Sequence, residues 1–171
     1  MKTVFQSNSE LASVFASQKQ FNGRANSMFF ERDTAYSYGY HYIAAKFVTT
    51  NNGEKICFVN SRYYSTTTAK HCSELWKAIP EGIKVFRVPL PRVFDLDQLP
   101  TIIKVMTEQA EGYLSKQLTA RTSTVNFYIA RNLISDIKEI SELFGLNVPS
   151  VWDFKNFTLA SEKVSLIQNA Q

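Results

Sequence analysis

The sequence predicts an α+β fold, with a small antiparallel sheet and helices in the N-terminal half and a helical C-terminal half. Residues 27–63 are dense in Phe, Tyr, Ile, Val and Thr, which favour strands. Residues 98–144 instead repeat apolar side chains every three to four positions, as amphipathic helices do. The pattern changes near residues 91–99. We therefore divide the chain into an α+β domain, 1–92, and a helical region, 93–171, that packs on it or beside it as one structural unit.

The first residues carry a helix signature. Ser7 is followed three positions later by Glu10, which is the spacing of a capping box, and apolar residues then recur at helical spacing. We expect a helix over residues 8–18. Further along, a short polar stretch and the Asn52-Gly53 pair offer two chain reversals. We therefore expect three antiparallel strands: Ser27–Glu31, Ala35–Thr49 and Lys55–Tyr63.

The middle strand is the most informative element, because side chains alternate between the two faces of a strand. On one face it carries four tyrosines in a row: Tyr36, Tyr38, Tyr40 and Tyr42. Such a row is either a platform on which nucleic-acid bases stack or a surface packed under a helix with its hydroxyls in water. Gly39 within the strand indicates a bulge or a close backbone approach. Pairing with the next strand places His41 opposite Tyr64.

The rest of the chain is mainly helical. Residues 66–79 predict a helix capped by a threonine of 66–68, and residues 83–91 predict one more strand, ended by two prolines. Gly145 has the C-cap position of a later helix. The expected C-terminal helices are Gln98–Leu118, Thr124–Phe144 and one after Pro149. The apolar stripe of the second of these is Ile129, Leu133, Ile137, Ile140 and Phe144.

Positive charge is concentrated in the first half of the chain. Met1–Arg92 has a net charge of +6, whereas Val93–Gln171 has −2. This asymmetry favours a polyanionic partner such as nucleic acid, although proteins that bind nothing charged also reach such values. The isolated cysteines, Cys57 and Cys72, and the lack of a signal-like or membrane-spanning apolar stretch favour a soluble protein of the reducing cytoplasm.

Two segments carry a resemblance, NGRANSMFFERDTAYSYGYHYIAAKFV at residues 22–48 and NSRYYSTTTAKH at 60–71. They resemble an uncharacterised domain family of tailed-bacteriophage accessory proteins, over about residues 1–80. The resemblance implies a phage origin, a location in the cytoplasm of an infected bacterial host cell, and roles such as blocking a host defence nuclease or handling nucleic acid. The residues that match are Phe29, Phe30, Asp33, Thr34, Tyr36, Ser37, Tyr38, Gly39, His41, Tyr42, Arg62, Tyr64, Ser65, Thr67, Thr68 and His71.

Both histidines of the chain lie in these segments, beside arginine, tyrosine and a threonine-rich helix start that favours anions. This group is an anion-binding site, a purely structural junction, or a catalytic site that cleaves phosphodiesters with two histidines, His41 and His71, and with Arg62. We expect no metal site and no cofactor, because no cluster has ligand spacing and no Gly-rich phosphate loop is present. The candidate binding residues are Arg24, Tyr38, His41, Arg62, Tyr64, Thr67, Lys70 and His71.

Three functions follow from these observations. The leading one is a phage accessory protein whose basic N-terminal sheet binds nucleic acid or a host nucleoprotein, and so inhibits a defence system such as a CRISPR effector. It predicts salt-dependent binding without turnover. The second is a small metal-independent phosphodiesterase or nucleotide-acting enzyme that uses the two histidines. The third is a protein–protein interaction module whose C-terminal helices bind a partner.

Overall fold

The computed structural model describes residues 1–170, which form two compact units, Met1–Leu96 and the described residues from Asp97 onward. The first unit holds a six-stranded sheet and two helices and the second is helical, so the α+β prediction is confirmed. The elements of the first unit are α1 (Asn8–Ser17), β1 (Asn22–Arg24), β2 (Met28–Glu31), β3 (Thr34–Ser37), β4 (Ile43–Thr49), β5 (Lys55–Asn60), α2 (Thr66–Ala78) and β6 (Val85–Val88).

The strands lie side by side in chain order, β1-β2-β3-β4-β5-β6. Neighbours are antiparallel except β5 and β6, which are parallel because α2 carries the chain back between them. The carboxyl ends of β5 and β6 therefore meet at one edge of the sheet. At the β1 end, the Arg24 N–H donates to the Thr3 carbonyl at 2.8 Å, and the Arg24 carbonyl accepts from the Phe5 N–H at 2.9 Å.

The predicted long strand Ala35–Thr49 is wrong, because the chain reverses between β3 and β4. Tyr38 adopts a left-handed backbone with φ of 63°, and the Tyr42 N–H donates to the Gly39 carbonyl at 3.3 Å. Gly39 therefore belongs to a turn, and the four tyrosines do not share one strand face. The predicted strand pairing of His41 with Tyr64 is also wrong, because both residues lie outside β4 and β5.

Both helices of the first unit begin at side-chain caps. The Ser7 hydroxyl accepts from the Glu10 N–H, as predicted for α1. The predicted threonine cap of α2 is wrong: the cap is Ser65, whose hydroxyl accepts the N–H of Thr68. The Thr68 hydroxyl accepts the Ser65 N–H in return, which completes a capping box one residue before the threonine run.

The core of the first unit lies between one sheet face and the two helices. Its centre is Phe15 of α1, whose ring lies 5.6 Å from Phe30 and 5.1 Å from Phe47. Gly23 of β1 lies so close to this core that a Cβ there would be 2.7 Å from ring atoms of Phe5 and Phe30. The main contacts of α1 with the sheet are to β1 and β2, and those of α2 are to β4 and β5.

The second unit is built on three helices: α3 (Leu99–Thr119), α4 (Val125–Leu143) and α5 (Phe157–Asn169). Gly145 follows α4 with φ of 64°, in the left-handed conformation that ends helices. The predicted stripe of α4 is partly wrong, since Ile129 is 37% exposed. The residues that α4 buries are Phe127, Ala130, Ile134, Ile137, Ile140 and Ser141. Within residues 1–170, no helix has both the length and the apolar character needed to cross a bilayer.

Candidate nucleic-acid interface

A pocket of about 280 Å³ lies at the carboxyl ends of β5 and β6. The strands place it there, because the segments that leave β5 and β6 and the segment that enters β4 all meet at this edge. We refer to it as the arginine pocket. Its lining residues are His41, Tyr42, Ile43, Asn60, Arg62, Tyr63, Tyr64, Leu90, Pro91 and Arg92.

The backbone of Arg62 is held on both sides by buried side chains. The Asn60 side-chain oxygen accepts the Arg62 N–H at 2.9 Å, and the Tyr42 hydroxyl donates to the Arg62 carbonyl at 2.6 Å. Asn60 also donates to the Ile43 carbonyl at 2.7 Å, which links the entry to β4 with the exit from β5. Burial raises the pKa of the Tyr42 hydroxyl, so this group remains a hydrogen-bond donor.

The arginine pocket has a positive rim. Arg62 and Arg92 are exposed, and within residues 1–170 neither forms an ion pair. His41 is also exposed, and its ring lies 6.0 Å from the ring of Tyr64. The predicted convergence of His41 and Tyr64 therefore occurs, although through loops rather than through paired strands. A rim with two unpaired guanidinium groups suits an anionic ligand.

A larger groove of about 740 Å³ is lined by β1, β2, the N-terminal segment and the turn that follows β3. Two of its residues, Arg24 and Phe29, are paired across β1 and β2, and Phe29 is paired in turn with Tyr36 of β3, which does not line the groove. We refer to it as the aromatic groove. Its lining residues are Thr3, Val4, Phe5, Asn22, Gly23, Arg24, Ala25, Asn26, Ser27, Met28, Phe29, Phe30, Glu31, Tyr38 and Tyr40.

Three aromatic rings form a cluster at this groove. The ring centroids of Phe29, Tyr36 and Tyr40 are each 5.0 Å from the other two. Phe29 and Tyr36 are stacked, and Tyr40 meets both at a steep angle. Tyr40 is 61% exposed, and its hydroxyl donates to the Glu31 carboxylate, which fixes the ring in place and raises the pKa of that hydroxyl. The cluster is therefore ordered while one of its rings stays open to solvent.

The turn between β3 and β4 connects the two sites. Tyr38 and Tyr40 line the aromatic groove, and His41 lines the arginine pocket. The left-handed backbone at Tyr38 turns the chain where a strand would have continued. As a result, residues of the same turn line different cavities. One continuous loop thus contributes aromatic groups to one site and a histidine to the other.

His71 occupies a buried junction. It is 2% exposed; its Nε2 lies 3.1 Å from the Ser27 hydroxyl and its Nδ1 lies 2.6 Å from the Ser37 hydroxyl. The ring of Tyr38 lies 5.6 Å away. Both ring nitrogens are therefore engaged, and none is open to a substrate. This geometry does not support a catalytic pair of His41 and His71.

Stability of the first unit is expected to fall as the pH drops below about 6.5. Burial lowers the pKa of His71 below its usual 6.5, so the unfolded chain takes up a proton before the folded one does. The contribution of neutral His71 to stability is complete above pH 6.5 and is lost as the pH falls toward the lowered pKa of the folded state. Urea unfolding at several pH values, followed by Trp76 fluorescence in a Trp152→Phe background, measures it. If a His71→Asn variant lost stability with falling pH as steeply as the parent does, His71 would not be the source of this pH dependence.

The structure divides the predicted binding residues among three places. Arg24 and Tyr38 line the aromatic groove, whereas His41, Arg62 and Tyr64 line the arginine pocket. The predicted residues that line neither cavity are Thr67, Lys70 and His71, all on α2.

Sequence reasoning missed Asn60 and Arg92 of the arginine pocket and Phe29 of the aromatic groove. Asn60 had a signal, because it is a polar residue at the end of the apolar strand KICFV. Phe29 had a signal in its place between two apolar residues of a strand, because neighbouring residues of a strand face opposite sides of the sheet. Arg92 had no such signal in the sequence, because only the parallel placement of β6 brings it to the same pocket as Arg62.

Among residues 1–170, no group of three or more His, Cys, Asp or Glu side chains is placed to hold a metal ion. Comparison with protein-family models, with curated proteins and with solved structures finds no match for this chain. The resemblance to a phage domain family therefore stays a prediction, and the site geometry carries the functional argument.

Proposed function

We propose that this protein binds single-stranded nucleic acid in the aromatic groove. The observation that carries the proposal is the ring cluster of Phe29, Tyr36 and Tyr40, which is ordered and presents Tyr40 to solvent. Aromatic side chains on a sheet bind unpaired bases by stacking, and every base offers a face for it.

The charges around the cluster support contact with bases on one side and with phosphates on the other. Arg24 is paired with Phe29 across β1 and β2 and is free to approach a phosphate. The Glu31 carboxylate accepts a hydrogen bond from the Tyr40 hydroxyl, and a carboxylate in that position also accepts hydrogen bonds from the amino groups of bases. Lys46 contributes little positive charge, because it pairs with Asp33 at 3.0 Å. Stacking therefore supplies most of the affinity, and the net charge of the first unit supplies attraction at a distance.

A narrower role follows if the resemblance holds. In a phage accessory protein the bound strand would belong to a host nucleoprotein, such as a CRISPR effector, and binding would inhibit it. This narrower proposal rests on the resemblance alone, whereas strand binding rests on the groove.

Tyr40→Ala is expected to weaken strand binding by about 5- to 150-fold, because one base–aromatic stack contributes about 1–3 kcal/mol. The measurement is the fluorescence anisotropy of labelled oligo(dT) and oligo(U), with a duplex alongside, at low and at high salt. Tyr128→Ala is the matched control, since Tyr128 is an exposed tyrosine of the second unit and should leave binding unchanged.

Two results would overturn the proposal. One is the absence of binding to every strand at low salt, which would turn attention to a protein partner of the interaction-module class. The other is duplex binding as tight as single-strand binding together with no effect of Tyr40→Ala, which would assign the interaction to charge and not to stacking. Cleavage of the strands during titration would instead return the phosphodiesterase hypothesis.

A further inference from the structure

We infer that the arginine pocket binds a phosphate monoester, the terminal phosphate of a nucleic-acid strand or that of a free nucleotide. The inference rests on the proposed function for the strand as a source of that phosphate. For the chemistry of the ligand it rests on the pocket itself, where Arg62 and Arg92 stand unpaired at one rim.

The pocket combines charged groups at its rim with apolar walls. Ile43 and Leu90 are buried and form its inner surface, whereas Arg62, Arg92 and His41 are exposed. Low-polarity walls strengthen the attraction between a guanidinium group and an anion, because less water screens the charges. Guanidinium groups also match phosphate oxygens with two parallel hydrogen bonds.

Both arginines project from backbone that is held in place. Arg62 is fixed by Asn60 and Tyr42, as described above. The segment before Arg92 is fixed as well, since the Leu90 N–H donates to the Asn60 side-chain oxygen at 3.3 Å and the Leu90 carbonyl accepts from its amide at 3.4 Å. Pro91 between them restricts the backbone further. Asn60 therefore fixes the spacing of the two backbone segments from which the arginine side chains extend.

Charge favours a monoester over a chain-internal diester. A monoester carries close to two negative charges at neutral pH, which matches two unpaired arginines, whereas a diester carries one. Tyr63 is 76% exposed and Tyr64 is 65% exposed at the same rim, where they can stack on the base that follows the phosphate.

The test compares strands that differ only at their ends. Labelled oligonucleotides with a 5′-phosphate, with a 3′-phosphate and with hydroxyls at both ends are titrated by fluorescence anisotropy. One of the phosphorylated strands should bind about tenfold more tightly than the hydroxyl strand, as expected for hydrogen bonds between charged groups. Arg92→Gln should remove this difference, so that the phosphorylated strands bind no more tightly than the hydroxyl strand. Arg121→Gln, an exposed arginine of the second unit, should preserve the difference.

In parallel, a nucleoside monophosphate is titrated by calorimetry, with the nucleoside as its control. Binding of the monophosphate alone would identify a free nucleotide as a source of the bound phosphate. Equal binding of all three strands, with no heat from the monophosphate, would overturn the inference. The same would follow if Arg92→Gln weakened all strands alike. If the hydroxyl strand binds and depends on Tyr40, the proposed function stands even when the inference falls. If no strand binds but the monophosphate does, and Arg92→Gln abolishes that binding, the inference stands and the proposed function falls.

Discussion

Replacing Phe15 by alanine is expected to lower the free energy of unfolding of the first unit by about 3–5 kcal/mol. Phe15 has no exposed surface, and its ring contacts those of Phe30 and Phe47 between α1 and the sheet. Removing the ring takes away the apolar area it buries and leaves a cavity that the strands cannot close, because β2 and β4 are fixed by pairing with β3.

The measurement is urea unfolding in a Trp152→Phe background, which leaves Trp76 of α2 as the sole tryptophan and so reports on the first unit. Phe21→Ala is the matched control, because Phe21 is 58% exposed and its loss should change stability by less than about 1 kcal/mol. An effect of Phe15→Ala no larger than that of Phe21→Ala would show that α1 does not pack as described.

Replacing Asn60 by alanine is expected to destabilise the first unit by about 2–4 kcal/mol and to weaken phosphate binding in the arginine pocket. Asn60 satisfies main-chain groups of three segments: Ile43, Arg62 and Leu90. Alanine leaves these groups without partners, and each unsatisfied buried group costs about 1–3 kcal/mol, less where water can reach it. Urea unfolding gives the stability, and calorimetry with a nucleoside monophosphate gives the binding.

Asn60→Asp separates the donor from the acceptor function of the amide. An ionised carboxylate accepts from Arg62 and Leu90 but cannot donate to Ile43, whereas the protonated acid can donate. Burial raises the pKa of such a carboxyl, so this variant should gain stability as the pH falls, in contrast to the parent protein. Asn51→Ala, at an exposed turn, is the control and should change stability little. If Asn60→Ala lowered stability no more than Asn51→Ala does, Asn60 would not be the residue that holds these three segments together.

The sequence predicted elements where one local pattern dominates. The capping pair of Ser7 and Glu10 and the helical period of the C-terminal half are such patterns, and α1, α3 and α4 end within a residue or so of their expected bounds. The break between β3 and β4 could not be predicted from alternation, since tyrosine is a good strand former and nothing in Tyr38 itself announces a positive φ. Gly39 was the available signal, and a turn explains it as well as a bulge.

The candidate site was only partly predictable for a similar reason. His41, Arg62 and Tyr64 were expected to converge, and they do, but the reason was a strand register that the turn abolishes. The second arginine of the pocket depends on the parallel return of β6, which is a tertiary fact. His71 was a candidate binding residue and catalytic partner of His41, but the packing of α2 against Ser27 and Ser37 buries it.

The hydrogen bonds between Arg24 and the segment Thr3–Phe5 protect the outer rim of the sheet from self-association. A bare edge strand offers its N–H and C=O groups to any extended chain, and proteins with open edges join into aggregates. Here the chain supplies its own extra strand-like segment at β1, so the main-chain groups of Arg24 are already occupied. These groups are therefore closed to an extended chain of another molecule, while Tyr40 of the nearby aromatic cluster stays exposed.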